Sequence, residues 1–172
     1  DDTGPTLCYR GLDNSAFYIL DESRRFNTNW TGCGNTLNAS HPMTKRLISD
    51  SLKFWKEEMH IDGFRFDLAA ILSRDKNGQP LSDPPTLLAI DSDYTLAETK
   101  IFAEAWDASG LYQVGRMAGA RWREWNGHFR DDVRSFVKGD RGMVPRLASR
   151  LTGSPDIYQA PFADPHKSLN FV

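Results

Sequence analysis

Two short apolar segments of this chain each end in a carboxylate. The first is Ile61-Asp62-Gly63-Phe64-Arg65-Phe66-Asp67, followed by Leu68-Ala69. The second is Lys100-Ile101-Phe102-Ala103-Glu104-Ala105-Trp106-Asp107. Side chains alternate between the two faces of a strand. Arg65 and Asp67 therefore share one face, and Phe64 and Phe66 share the other. A charged pair on an apolar strand is costly unless something pairs it or uses it. Glu104 takes much the same place on the second segment. Two strand-end carboxylates, each followed by a loop or helix, fit the catalytic end of a parallel α/β barrel.

The surrounding pattern supports that reading. Pro42 fits the first position of a helix, and Leu47, Ile48, Leu52, Trp55 and Met59 recur at helical spacing after it. A strand over 61–67 follows, and the sequence predicts a helix from Leu68. Residues 74–85 have the turn chemistry of an exposed insertion. A helix is expected over about 85–91, a strand over 100–105 and a third strand over 120–125. Phe129, Val133, Phe136 and Val137 line one face of a helix over 129–138, which Gly139-Asp140-Arg141-Gly142 breaks. A short helix over 143–151 and a last strand opening near Ser168 complete the order. Helices alternating with strands predict an α/β fold with a parallel sheet. Residues 1–41 are rich in Gly, Asn, Thr and Asp. They read as a long surface loop region with a short strand at 17–20, and loops of that length in a compact domain usually carry function.

Bulk properties exclude several classes. The 172 residues suffice for one domain with a real core. A net charge of −2 argues against nucleic-acid binding by phosphate neutralisation. No apolar run reaches the length of a membrane span. Cys8 and Cys33 are the only cysteines. They could pair, but two thiols are no disulfide framework, and their spacing does not suit zinc. Both ends read as cut: the chain starts without a methionine, and 168–172 reads as a strand interrupted midway. The expectation is an internal segment, incomplete at both ends, of a longer protein.

The stretches Gly63-Phe64-Arg65-Phe66-Asp67-Leu68-Ala69 and Ala103-Glu104-Ala105-Trp106-Asp107 resemble two signature strands of the α-amylase superfamily of (β/α)₈ glycoside hydrolases. Further stretches narrow the resemblance to isoamylase-type debranching enzymes of glycogen and starch. They are Gly32-Cys33-Gly34-Asn35-Thr36-Leu37-Asn38, His41-Pro42, Gly110-Leu111-Tyr112-Gln113-Val114-Gly115, Trp125-Asn126-Gly127 with Phe129-Arg130-Asp131, and Gly153-Ser154-Pro155. The implied fold is a partial TIM barrel, roughly its strands four to seven. Residues 1–41 would be a long active-site loop region, and 42–172 the alternating helices and strands. The resemblance also implies a third catalytic carboxylate lying beyond Val172.

By this resemblance Asp67 matches the nucleophile and Glu104 the general acid/base of a retaining glycosidase. Such a pair sits ~5–5.5 Å apart. A like charge nearby would help keep Glu104 protonated while Asp67 is ionised. Arg65 would hold Asp67 ionised and oriented. Trp106 and Tyr112 would stack on sugar rings, with Trp30 a weaker candidate for the same role. Asp67 read alone could equally be a helix cap. Trp122, Trp125 and Phe129 read as packing, the Arg130, Asp131, Asp132 and Arg134 group as a salt-bridged helix face, and His41 as a helix-start residue. The implied reaction is hydrolysis of α-1,6 branch points in a branched α-glucan, without an organic cofactor. Calcium occurs in parts of the superfamily, but no residues here fix a site. Two alternatives stand beside it, a non-catalytic glucan-binding subunit and an α-1,4-acting relative. A bacterial cytoplasm and a plastid stroma are both compatible with the sequence, which leaves the oligomeric state open. The isolated segment is expected to be inactive.

Overall fold

The computed structural model describes residues 4–159 and 164–172. Four parallel strands form one sheet in the order β1-β2-β3-β4: β1 (Gly63–Phe66), β2 (Lys100–Ala103), β3 (Arg123–Trp125) and β4 (Ser168–Leu169). Phe64 pairs with Ile101, Ala103 with Glu124, and Trp125 with Leu169. Helix α1 spans Tyr9–Phe17, α2 Pro42–Glu57, α3 Pro85–Ser92, α4 Gly127–Lys138 and α5 Met143–Leu151. A 3-10 helix and α3 join β1 to β2, and α4 and α5 lie between β3 and β4, while residues 104–122 run from β2 to β3 without a helix. The parallel sheet is the one the alternation predicts, and neighbouring strands in chain order fit part of the (β/α)₈ barrel that the resemblance implies.

The strand faces divide as the sequence requires. Phe64 and Phe66 pack against a cluster that includes Leu87, Ile90, Ile101, Ala103, Ala105 and the fully buried Trp122. The Phe66 and Trp122 rings meet edge to face at 4.8 Å. Arg65 and Asp67 stand on the opposite face, away from that cluster. On β2 and just beyond it, Ile101, Ala103 and Ala105 are buried while Phe102 and Glu104 between them are only half-buried. The same alternation therefore brings Glu104 to the face that carries Asp67.

Helix ends follow local chemistry. Pro42 opens α2, and His41 caps it by accepting the Met43 amide at 3.3 Å. Asn126 caps α4 by accepting the Phe129 amide at 3.0 Å, and Gly139 ends that helix at φ 89°, where a side chain would be strained.

Three expectations change. Residues 9–17 form helix α1 rather than loop. It is kinked at Asp13, whose carboxylate caps the second turn through the amides of Ser15 and Ala16. Buried Ala16 anchors it, its carbonyl accepting the Thr44 hydroxyl at 2.7 Å. This is tertiary stabilisation of a segment with a weak helical pattern. The strand expected at 17–20 is reduced to single antiparallel bridges, Tyr18 with Leu37 and Leu20 with Asn27. No α-helix starts at Leu68. That residue is left-handed at φ 44°, and a 3-10 helix over Ala69–Ser73 follows. The amides of Leu68 and Ala69 are held by the Glu104 side chain and carbonyl.

Candidate active site

The site lies where β1 and β2 end. Arg65 sits between the two carboxylates: its Nη2 is 2.9 Å from Asp67 Oδ1 and 2.6 Å from Glu104 Oε1. Two oxygens held by one nitrogen at those distances are no more than about 5.5 Å apart, closer than the carboxylates of an inverting pair. Burial works against the Arg65 cation, but hydrogen bonds to Glu104 and Asp67 outweigh it and raise the guanidinium above its ordinary range.

The two carboxylates occupy different surroundings. The Asp67 side chain is 71% exposed, and Glu104 is 14% exposed. Asp67 opens onto a cleft of about 670 Å³ that Tyr18, Thr31, Asn35, Leu37 and Leu68 help line. Asp67 caps no helix: the 3-10 helix begins after Leu68 and has no side-chain cap. Glu104 is fixed by the Leu68 amide, which donates to Oε2 at 3.2 Å, and by Arg65 on its other oxygen. The closest charge to Glu104 is thus a cation on the same face.

Trp106 and Tyr112 come together on the loop that follows Glu104. Their rings are nearly parallel, 9° apart, with centroids 6.0 Å from each other. They line a smaller cleft of about 230 Å³ with Gly110, His128, Arg130 and Asp131. Tyr112 is 38% exposed as a residue, yet its hydroxyl is tucked against the His128 amide at 3.3 Å. Burial of that end pushes its phenol up to about 12. Trp30 is placed elsewhere. Its ring lies under the Arg74 guanidinium at 4.7 Å, and Gly78 packs so closely on it that a Cβ there would overlap the ring.

Trp125, read as packing, and Arg130, read as surface, also enter the site, together with Phe171. Trp125, at the end of β3, lies under Arg65 at 4.7 Å, and Phe171 meets Trp125 at 4.8 Å. Arg130 stands over Phe171 at 5.4 Å and over Trp106 at 5.8 Å. A continuous row of cations and rings, Arg65, Trp125, Phe171, Arg130 and Trp106, therefore runs from the carboxylates to the Trp106 and Tyr112 pair. Arg130 also pairs with Asp131 at 2.6 Å, as expected, and that hydrogen bond pulls the Asp131 carboxyl below its ordinary range. Asp132 departs from the surface reading: it is buried and paired with Arg150 at 3.2 Å. The available signal was position, since Trp125 and Phe171 follow the strand-end rule that singled out Asp67 and Glu104.

The expected exposed insertion over 74–85 is not wholly exposed. The Arg74 side chain is only 8% exposed and Asp107 is fully covered, and the two form an ion pair. Burial works against ionisation of Asp107, but bonds from Arg74, Ser109 and Leu111 prevail and hold its carboxyl below the ordinary range. A second buried carboxyl, Glu124 on β3, accepts the Gly115 amide at 2.6 Å, the Met117 amide at 3.1 Å and the Tyr158 hydroxyl at 3.3 Å. Burial pushes Glu124 up despite those donors.

Among the described residues no group of three or more His, Cys, Asp or Glu side chains could hold a metal ion. Both cysteines are free and exposed. Among the described residues no helix is long and apolar enough to cross a membrane.

No family model matches the chain. Curated relatives match it end to end. Chloroplastic isoamylase 3 of Oryza sativa subsp. japonica is 50% identical over 100% of this chain and 22% of its own length. The glycogen debranching enzyme of Erwinia tasmaniensis is 44% identical over 100% of this chain and 26% of its own length. The chain thus spans about a quarter of the curated relatives it matches. Among solved structures, the type I pullulanase of Bacillus subtilis in complex with maltose superposes with a TM-score of 0.70 at 27% identity. It covers 91% of this chain, which covers 23% of that one.

Proposed function

Because the chain is an isoamylase-type segment of an α-amylase superfamily barrel, related along its whole length to debranching enzymes, we propose that it carries the nucleophile and the acid/base of a retaining glycosidase. The substrate class is a branched α-glucan such as glycogen, amylopectin or limit dextrin, cleaved at its α-1,6 branch points. The observation that carries this reading is one Arg65 nitrogen holding both Asp67 and Glu104.

In the proposed reaction Asp67 attacks the anomeric carbon from the side of the open cleft. Glu104 gives its proton to the departing glycosidic oxygen. The covalent glycosyl-enzyme then meets a water molecule, which Glu104 deprotonates. Two inversions at one carbon return the original configuration. Arg65 keeps the Asp67 oxygens oriented for attack by a charge-assisted hydrogen bond. Tyr112 and Trp106 offer flat faces to sugar rings beside the reacting bond. The chemistry needs no organic cofactor. With a chloroplastic plant relative and a bacterial one, the proposed compartment is a plastid stroma or a bacterial cytoplasm.

The test is to give the full-length protein a branched glucan and follow the products by NMR and chain-length analysis. Linear chains released at branch points, with the α anomer appearing first, are expected. A β anomer appearing first overturns retention. Cuts confined to α-1,4 bonds indicate the amylase-type alternative, and binding without cleavage the non-catalytic subunit. Residues 1–172 alone are expected to be inactive. The described strands leave both β1 and β4 as open sheet edges around an incomplete barrel. Debranching by that segment alone would contradict this.

A further inference from the structure

One buried guanidinium joins three separate loops beside the site. Arg74, on the loop after β1, donates from Nε to Asp107 Oδ2 at 3.0 Å, and its Nη2 also pairs with that oxygen. Nη2 reaches Ser109 Oγ at 3.0 Å, and Nη1 donates to the Gly78 carbonyl. The guanidinium lies on the Trp30 ring, and the Trp30 carbonyl in turn accepts the Ala108 amide at 3.1 Å.

Asp107 uses its two oxygens for different tasks. Oδ1 accepts the Ser109 amide at 2.9 Å and the Leu111 amide at 3.1 Å, which folds the turn. Oδ2 faces Arg74, which fixes that turn in place. The same loop is closed by the Asp107 amide donating to the Leu111 carbonyl at 3.0 Å and by the bridge between Trp106 and Tyr112. Asp107 lies three residues beyond Glu104, so the ion pair sets where Trp106 stands relative to the acid/base.

We propose that Arg74 is a positioning residue that acts through Asp107 to hold the 105–112 loop, with Trp106 and Tyr112 as one wall of the glucan site. The proposal rests on the glucan-hydrolase reading above. It gives Trp30 the role of a floor for Arg74, in place of sugar contact. An ion pair this buried tolerates loss of one partner poorly, because the other is left as an unpaired buried charge. The loss would be felt first by the loop that the pair ties to the segment after β1.

The test uses the full-length protein with Arg74→Gln, Asp107→Asn, the double variant and Arg121→Gln. Asn at 107 keeps the Oδ1 turn bonds and loses the ion pair. It therefore carries the test if Arg74→Gln does not fold. Arg121 is the control: it ties together the Asp91, Leu96 and Thr99 carbonyls at the opposite end of the strands. Affinity for a maltooligosaccharide, and kcat and KM on a branched glucan, are measured on folded protein.

Arg74→Gln and Asp107→Asn are each expected to weaken Kd and raise KM by about tenfold, the scale of one lost aromatic contact, with kcat much less affected. The double variant should be no worse than the poorer single one, as for residues acting as a unit. Arg121→Gln should lower Tm and leave Kd unchanged. Unchanged Kd in folded Arg74→Gln and Asp107→Asn overturns the proposal, as does an equal loss in Arg121→Gln. If the wild type binds the sugar without cleaving branched glucan, the hydrolase reading fails, while the expected Kd shifts still support positioning. A wild type that neither binds nor cleaves overturns both.

Discussion

Glu104→Gln in the full-length protein is expected to lower turnover of branched glucan by about 100- to 10,000-fold, the usual contribution of a general acid/base. Glucan affinity should change little. The substitution is nearly isosteric, and a glutamine oxygen can still accept the Leu68 amide that Glu104 accepts at 3.2 Å. Arg65 keeps its pairing with Asp67 at 2.9 Å, so no buried cation is left unpartnered. What is lost is the proton for the leaving oxygen and the base for the incoming water. A maltooligosaccharide derivative with a leaving group that departs without a proton separates these losses. On that substrate the first step should recover, seen as a burst of leaving group followed by slow turnover. Absence of that burst would remove Glu104 from the acid role, and unchanged turnover would remove it from the chemistry.

The strand register was legible because period-two alternation is imposed by backbone geometry. Phe64 and Phe66 had to face the helices for the sheet to bury anything, so Arg65 and Asp67 had to face away. The helices opening at Pro42, over 129–138 and over 143–151 were legible from their periodicity, from Pro42 and from the Gly139–Gly142 break, and the structure extends the second back to Gly127.

Helix α1 was not legible. Its stability comes from Ala16 docking on Thr44, 28 positions away, and no local pattern encodes such a contact. The Arg74 and Asp107 pair was hidden for the same reason. An arginine in a turn-rich stretch has the composition of an exposed loop, and its partner lies 33 residues away. Trp125 shows a different failure. A tryptophan is apolar enough to be assigned to packing on composition, while its place at the end of β3 puts its face under Arg65. Position along the strand was the better guide there, as it was for the carboxylates.

Asp67→Asn is expected to cost more than Glu104→Gln, with turnover down on the order of 10,000-fold or further, because no carboxylate is left to form the covalent intermediate. The fold should not register the change: the side chain is largely exposed, and its ion pair is with Arg65, which retains Glu104 at 2.6 Å. A surface substitution of this kind shifts stability by about 0.5 kcal/mol or less. Loss of activity with unchanged Tm would therefore be chemical in origin. The two variants then answer different questions about one reaction. In Glu104→Gln, a leaving group that needs no proton lets the first step run while the second lacks its base, so the glycosyl-enzyme should accumulate. Digestion and mass spectrometry should find the added sugar mass on the peptide containing Asp67. In Asp67→Asn no such adduct should form on any substrate, and the proton-independent leaving group should rescue nothing. A burst in Asp67→Asn, or a sugar adduct on a different residue, would take the nucleophile role from Asp67. The Arg65 bridge would then be left as an ion pair with a purely structural purpose.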